Sequence, residues 1–481
     1  REVQKAIYYF YYDYFNNKIL IKYNKHILKI VIIMKIGIVL GTRPEIIKMA
    51  PVIDEIKRNN SELVLIHTGQ HYDINMSKQF FIDLDLPLPQ YNIGIGSNTA
   101  IKQISIIISK LEEILKKEEV DIVLVQGDTN AVLAGALAAN KLKIPVGHVE
   151  AGLRSFDKNM PEEINRLVAD SCSTLYFVPT KETGINLLNE GISHKSIYVT
   201  GNTVVDACKR NINLALKNSK IKDEIKFNNY IALTLHRAEN VDDDERLINI
   251  VNSLINLPYN IVFPIHPHTR KSLEKLDLYK KIEESEHIQI IKPLGYLDFL
   301  YLISQATLAL TDSGGVQEEA ITLDVPCVTL RYNTERPETI TCGGNVLAGT
   351  ESEEITRNIS NILNNESVYE SMSSAKNPYG DGDSAKQIYS IIEEHYNENN
   401  LKITRADKIM DFEGYYMYVI QENITVAEYE NKNKGQIIEQ VFTNGRPEYI
   451  EEQLNLENKT IIVKKFENED LQVPTESVTG E

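Results

Sequence analysis

Cysteine is scarce in this chain. There are four among 481 residues (Cys172, Cys208, Cys327 and Cys342), and their spacing matches neither a metal nor a redox motif. That argues against a disulfide scaffold and fits a reducing compartment, so the expected location is the cytoplasm. Long apolar runs are also missing. A membrane-crossing helix needs about 18 such residues. The nearest stretch, Ile27 to Leu40, is broken by Lys29 and Lys35, so no membrane association is expected. Basic residues precede this run as in a signal peptide, but no small-residue cleavage site follows and the run continues into what reads as a core strand. Positive charge is short as well: 51 Lys and Arg stand against 68 Asp and Glu, a net charge of −17. Such a balance does not suit a polyanion, and nucleic acid is not an expected partner. Any anionic ligand must be held by local Arg, Lys and backbone N–H groups.

What is present is strand–helix alternation. From Met34, apolar runs of strand length recur at Ile36–Leu40, Leu63–His67, Ile122–Val125, Val146–Val149, Thr174–Val178 and Ile197–Val199. Helical stretches lie between them, such as Glu45–Arg58, Ile101–Lys117 and Thr129–Lys141. After Thr200-Gly201-Asn202-Thr203 a second series runs through Ile231–Leu235, Ile261–Ile265, Ile288–Ile291, Leu308–Thr311 and Cys327–Leu330. Alternation of this kind predicts α/β architecture: two Rossmann-like, doubly wound domains with parallel sheets, facing a cleft. The expected division is 34–202 and 203–377, with 378–399 packing back on the first domain. Residues 1–33 have no clear period and are expected to lie outside the fold, with Met34 as the natural start. The acidic tail, 400–481, offers the strand-like runs Gly414–Ile420 and Thr460–Val463 and reads either as a small β-rich module or as partly disordered.

Polar residues cluster just after these strands, where open α/β sheets bind ligands. In Gly41-Thr42-Arg43-Pro44-Glu45-Ile46-Ile47-Lys48, Pro44 suits a first helical turn, and Arg43 and Lys48 flank a helix N-terminus that favours an anion. In Thr311-Asp312-Ser313-Gly314-Gly315-Val316-Gln317-Glu318-Glu319, the Ser313-Gly314-Gly315 backbone allows close approach of a diphosphate. Glu319 on the following helix would be repelled by phosphate, so its natural partners are ribose hydroxyls. Arg336 adds a cation from Thr334-Glu335-Arg336-Pro337-Glu338.

An acidic set comes from three segments: Asp128 in Gln-Gly-Asp-Thr, Glu150 in His-Val-Glu-Ala-Gly-Leu-Arg, and Glu162 with Glu163 in Pro-Glu-Glu-Ile-Asn-Arg. Carboxylates on converging loops supply general acid, general base or cation-stabilising groups. Singly, each reads as well as a cap or an ion-pair partner: Asp128 precedes a helix, and Glu163 could pair with a Lys or Arg on its own helix. His236 follows a strand, placed to donate to a phosphate or relay a proton. His71 is a further strand-end candidate. His266-Pro-His268, without nearby Cys, is a weak ligand pattern, and no metal is expected.

Taken in order, Gly-Thr-Arg-Pro-Glu-Ile-Ile-Lys-Met-Ala-Pro, Gln-Gly-Asp-Thr, Gly-His-Val-Glu-Ala-Gly-Leu-Arg, Pro-Glu-Glu-Ile-Asn-Arg, Thr-Gly-Asn-Thr-Val-Val-Asp-Ala, Thr-Asp-Ser-Gly-Gly-Val-Gln-Glu-Glu-Ala and Thr-Glu-Arg-Pro-Glu resemble the non-hydrolysing UDP-N-acetylglucosamine 2-epimerase family. Asn377-Pro378-Tyr379-Gly380-Asp381-Gly382 extends the likeness, which spans about Met34 to Asn399. The resemblance implies a glycosyltransferase-B-like fold, a homodimer, and interconversion of UDP-N-acetylglucosamine and UDP-N-acetylmannosamine, a sugar used in cell-surface polysaccharides. In such enzymes UDP leaves C1 as C2 loses its proton, giving 2-acetamidoglucal, and UDP then re-adds with protonation on the other face. No cofactor is implied, and no Gly-x-Gly-x-x-Gly follows the first strand.

By the resemblance, Arg43, Lys48, His236, Ser313, Gly314, Gly315, Glu319 and Arg336 hold UDP, and Phe299 lies beside the uracil. Asp128, Glu150 and Glu162 serve acid–base chemistry, with His236 assisting UDP departure and Arg166 at the sugar. Which carboxylate takes the C2 proton is left open. Many bacterial members carry Gln-His-Arg where this chain has Gln70-His71-Tyr72-Asp73, a region they use for a second, activating UDP-N-acetylglucosamine, so that site is expected to be absent or reshaped. The alternatives are a hydrolysing 2-epimerase, a glycosyltransferase of the same fold, or a nucleotide-sugar sensor that would leave the acidic set idle.

Overall fold

Short runs of Ile, Val and Leu flanked by helices can satisfy their backbone groups only by pairing side by side, and burial on both faces favours parallel strands. The computed structural model shows this twice. It describes residues 19–24, 27–69, 74–96, 98–398, 401, 417–420, 450–456 and 459–465. The first sheet contains seven parallel strands: β1 Lys35–Leu40, β2 Glu62–His67, β3 Tyr91–Asn92, β4 Ile122–Gln126, β5 Val146–Val149, β6 Leu175–Val178 and β7 Ile197–Val199, in the order β3-β2-β1-β4-β5-β6-β7. The second contains β8 Ile231–Thr234, β9 Ile261–Pro264, β10 Ile288–Ile291, β11 Leu308–Thr311, β12 Cys327–Thr329 and β13 Asn345–Leu347, in the order β10-β9-β8-β11-β12-β13.

Both sheets therefore reverse their winding once, between β1 and β4 and between β8 and β11. A crevice opens at the carboxyl ends of strands at such a reversal. Arg43 and Asp128 follow β1 and β4, and His236 and Ser313 follow β8 and β11.

Within these two sheets, the two-residue edge strand β3 and the short β13 are the strands the sequence pattern did not reveal. Too few residues carry an alternation there, and neighbours rather than local propensity define them. Helix starts follow local chemistry. Thr42 and Glu45 form a reciprocal capping box ahead of helix Arg43–Arg58, with Pro in the first turn. Thr129, not Asp128, caps helix Asn130–Lys141, its hydroxyl accepting from the Ala131 N–H at 3.2 Å. Asp128 is thereby left without a capping duty.

Each sheet has its own core. Ile36, Ile38, Leu40, Ile53 and Leu65 are buried in the first, and Ile231, Leu233, Phe263, Leu308 and Leu310 in the second. Helix Thr203–Asn218 packs on Arg43–Arg58 of the first unit and on Tyr296–Ser304 and Gly314–Thr322 of the second. Arg210, from that helix, pairs with Asp54 at 2.6 Å.

The chain returns to the first unit at its end. Ala385, Ile388, Tyr389 and Ile392 of helix Ser384–Asn397 are buried among Ile46, Met49 and Ile53. At about 1.5–3 kcal/mol per large side chain removed from water, this contact anchors the last helix to the first sheet.

Residues 1–33 contain an antiparallel hairpin, Ile19–Asn24 with Ile27–Ile32, which among the described residues joins neither parallel sheet. In the tail, Met417–Ile420, Lys459–Lys465 and Ile450–Leu456 form a three-stranded antiparallel sheet in that order. The expected strand-like run Thr460–Val463 falls inside its middle strand. Residues 414–416 of the other run lie outside the described residues. No helix among the described residues is long and apolar enough to cross a membrane.

Candidate functional site

Glu150 sits at the centre of the crevice. It follows β5 in a turn with φ of 68°, a conformation that costs a side-chain-bearing residue about 1–2 kcal/mol and clusters at working sites. The turn is held because the N–H groups of Glu150 and Ala151 both donate to the Phe177 carbonyl, at 3.0 and 3.2 Å. The carboxylate is 6% exposed. Lys48 Nζ donates to its two oxygens at 2.9 and 2.7 Å, the Gln126 amide donates to Oε2, and Arg336 Nη2 lies 3.3 Å from Oε1. Burial works to raise its pKa, but Lys48 and Arg336 outweigh it and hold Glu150 below the usual carboxylate range.

Arg336 comes from the second unit, and so does the fourth member of the cluster. Glu318, fully buried, accepts from Arg336 Nε at 2.6 Å and Asn202 Nδ2 at 3.0 Å, with Lys48 at 3.8 Å. Two cations and two carboxylates from opposite sheets thus neutralise each other at the base of the crevice. Burial pushes Glu318 up, against the pull of Arg336 and Lys48.

Asp128 is half-buried beside this cluster. Arg166 Nη2 bonds its Oδ2 at 2.5 Å, and Asn165 Nδ2 donates to its carbonyl at 2.9 Å. Arg166 is in turn held by Glu163 at 2.8 Å. Glu163 also accepts from the Ser155 and Phe156 N–H groups at 2.9 and 3.1 Å. The ion pair that the sequence allowed for Glu163 is therefore present: this residue fastens a loop and an arginine. Glu162, one position earlier on helix Pro161–Cys172, is exposed.

At the second switch point, Ser313 is the N-cap of helix Gly314–Thr322. A side-chain carbon on Gly315 would meet nothing within 4 Å, whereas Gly314 lies under Glu335 and Arg336. Gly315 thus presents bare backbone at a helix N-terminus, as an anion requires. Glu319 lies half-buried on the same helix. Burial and the neighbouring Glu318 push its carboxyl up to about 8.

Across the strand ends, buried Asp312 accepts from the N–H groups of His236 and Arg237 at 3.0 and 2.9 Å and so fixes the loop after β8. The His236 ring is partly exposed, 3.4 Å from Asp312. Burial draws its pKa down despite that carboxylate, leaving it mostly neutral near pH 7. Phe299 is half-buried, packed against the second core near Ala232 and Val262 rather than standing free.

Arg43 is exposed at the start of its helix, its guanidinium 5.7 Å from the Phe80 ring centroid. Lys48, expected beside it at the helix N-terminus, instead turns to the Glu150 cluster. His71 lies outside the described residues, as do Gln70, Tyr72 and Asp73.

Three contributors were not singled out from sequence. Gln126 ends β4 beside Asp128, and a polar residue closing an apolar strand was the available signal. Glu45 is buried and accepts from the Gly41 N–H and, at 3.2 Å, from the Thr42 N–H. Burial raises its carboxyl to about 7. Its position three residues after Thr42 was the capping-box signal. For Glu318 there was no signal, because only the packed helix shows which of two adjacent glutamates faces inward.

A sequence model of the family described as UDP-N-acetylglucosamine 2-epimerase matches residues 54–393. The UDP-N-acetylglucosamine 2-epimerase of Methanocaldococcus jannaschii is 49% identical over 367 residues, which is 75% of this chain and 99% of that protein. The solved structure of the M. jannaschii enzyme in complex with UDP-GlcNAc and UDP is similar with a TM-score of 0.66 and 49% identity, over 75% of this chain and 100% of that one. That of the Neisseria meningitidis enzyme bound to UDP-GlcNAc gives 0.68 and 36%, again over 75% and 100%.

Proposed function

The chain belongs to the UDP-N-acetylglucosamine 2-epimerase family, and from that membership we propose how its residues carry the reaction. It is an isomerase that interconverts UDP-N-acetylglucosamine and UDP-N-acetylmannosamine by eliminating UDP to 2-acetamidoglucal and adding it back. The observation that carries the assignment of roles is the cluster of Lys48, Glu150, Arg336 and Glu318, which joins the strand ends of both sheets.

In our reading the UDP lies along the second unit. Its diphosphate is held by the Ser313, Gly314 and Gly315 backbone, Arg43, His236 and Arg336, its ribose by Glu319, and its uracil near Phe299. The sugar then reaches the first unit, where Asp128, Glu150 and Glu162 exchange protons at C2 and Arg166 orients Asp128. A carboxylate clamped by two cations is a weak base. As the diphosphate competes for Arg336 and Lys48, Glu150 regains basicity only when substrate is in place. Elimination also builds negative charge on the departing UDP, which the same cations stabilise. His236, mostly neutral, is able to accept or relay a proton as UDP leaves.

We further propose that the units run 34–202, with 378–399 returning to it, and 203–377, that two copies associate, and that the enzyme works in the cytoplasm on a precursor of surface polysaccharide.

Incubation with UDP-N-acetylglucosamine in deuterated water, followed by proton NMR, tests the reaction. The expected product is UDP-N-acetylmannosamine with deuterium at C2. Stoichiometric UDP and free sugar would assign a hydrolysing enzyme instead, and unchanged substrate would favour transfer or sensing.

A further inference from the structure

The loops bearing Asp128 and Glu150 are fastened together by a group the scheme above does not use. His148, on β5, is fully buried. Its Nδ1 lies 2.6 Å from Asp170 Oδ1 and its Nε2 lies 2.9 Å from the Gly127 carbonyl. Both partners are acceptors. A neutral imidazole has one N–H and would turn a lone pair toward one of them, whereas an imidazolium donates to both.

Asp170, 1% exposed on helix Pro161–Cys172, does more than hold this ring. Its Oδ2 accepts from Arg154 Nη2 at 2.6 Å and from the Gly152 N–H at 3.3 Å. Gly152 is in the turn just after Glu150. Arg154 continues to Glu190 at 2.6 Å. One buried carboxylate thus reaches the Asp128 loop through His148 and the Glu150 turn through Gly152 and Arg154.

The charges around the ring balance: His148 and Arg154 against Asp170 and Glu190. On the β6 side the register partner is Tyr176, whose hydroxyl donates to the Asp170 carbonyl at 3.0 Å. Cys172, on the same helix as Asp170, lies near that tyrosine. On the β4 side the ring meets the Gly127 carbonyl rather than a charge.

We propose that His148 is a positioning residue for the epimerisation, an imidazolium clamped between Asp170 and the Gly127 carbonyl that holds the Asp128 loop against the Glu150 turn. The proposal rests on the reading that Asp128 and Glu150 act on the sugar. When the ring loses its proton, one of the two bonds is lost. Gly127, at φ of 82°, is a hinge able to turn once its carbonyl is released, and Asp128 is the next residue. A displacement of about 1 Å at a reacting group costs on the order of 100-fold in rate. Burial works against the protonated ring, but Asp170 outweighs it and raises the pKa of His148.

The test uses the full chain with ¹⁵N-labelled histidine, the His148 signals being assigned by their absence in His148→Gln. Both ring nitrogens are expected to be protonated across the pH range of full activity, and kcat is expected to fall in the pH range where one of them loses its proton. In Asp170→Asn that titration and the alkaline fall of kcat should move together to lower pH, with KM changed less than about threefold. A singly protonated His148 in the active enzyme overturns the proposal, as does an Asp170→Asn enzyme slowed by the same factor at every pH. If Asp170→Asn does not fold, failure of the wild-type ring titration to coincide with the kcat limb overturns it equally. The NMR readout is independent of turnover. Undiminished turnover in Asp128→Asn would sink the catalytic reading while leaving the imidazolium intact, and the reverse result would spare that reading.

Discussion

Arg336 Nη2 of the second unit lies 3.3 Å from Glu150 Oε1 of the first. The two residues are 186 positions apart, and each is also bound to a partner of opposite charge, Glu318 and Lys48 respectively. A buried carboxylate of the first unit's acidic set is therefore also one through which the two units touch.

Replacing Glu150 with Gln keeps the shape of this contact and removes its charge. UDP affinity should survive, since most of the proposed UDP contacts lie on the second unit, while turnover should fall about 100- to 10,000-fold. Calorimetry with UDP beside the NMR assay checks both parts. Lost UDP binding would make Glu150 a structural residue.

The neighbours Glu162 and Glu163 should separate cleanly. Glu163→Gln weakens the anchor of Arg166 and of the Ser155–Phe156 backbone, so the melting temperature should drop along with kcat. Glu162→Gln changes an exposed side chain and should lower kcat at an unchanged melting temperature. A destabilised Glu162→Gln, or an Glu163→Gln indistinguishable from wild type, would reverse the assignment.

Gly152→Ala probes the turn that aims Glu150. The residue has φ of 76°, and a Cβ there would sit 2.2 Å from the Thr183 carbonyl oxygen. Backbone must move, so stability should fall by more than about 1 kcal/mol in a urea titration, with a loss of kcat beyond what the unfolded fraction explains. Wild-type behaviour would show that the turn is not under this constraint.

Glu45 makes a pH-dependent contribution whose sign follows from its burial. Its carboxyl rises from the ordinary 4.5 to about 7 in the folded protein. The native state therefore keeps a proton that the unfolded chain releases, and this stabilisation, complete below about pH 4.5, is lost as pH rises to about 7. Glu45→Gln does not titrate. Between these limits the stability difference should shift in favour of the variant by on the order of 3 kcal/mol. Urea midpoints at both pH values measure it, and a pH-independent difference would contradict the assigned protonation.

Much of the fold and part of the site were legible in the residues alone. The turns after β1, β4, β5 and β11 announce themselves through Gly, Pro, Thr and Asp at positions where backbone geometry and capping demand them. Apolar runs of strand length between helices fix the parallel pairing. The edge strands β3 and β13 escaped, because two or three residues hold no period and their pairing depends on a neighbour already in place.

The sequence by itself determined that two α/β units would each open a crevice and that carboxylates, arginines and bare glycine backbone would line it, since these follow from local periodicity and turn chemistry. Only the tertiary structure decided how the members of each adjacent pair are placed. Glu163 is taken up by Arg166 and the Ser155 loop while Glu162 is exposed, and Glu318 points to Lys48 and Arg336 while Glu319 lies beside it. Only the tertiary structure, too, turned Lys48 from its own helix N-terminus toward Glu150. Helix phase and the docking of the two units settle these choices. For Glu163 the partners are near in sequence and helix phase selects them, whereas Lys48 and Glu318 meet partners more than a hundred positions away, which no window along the chain contains.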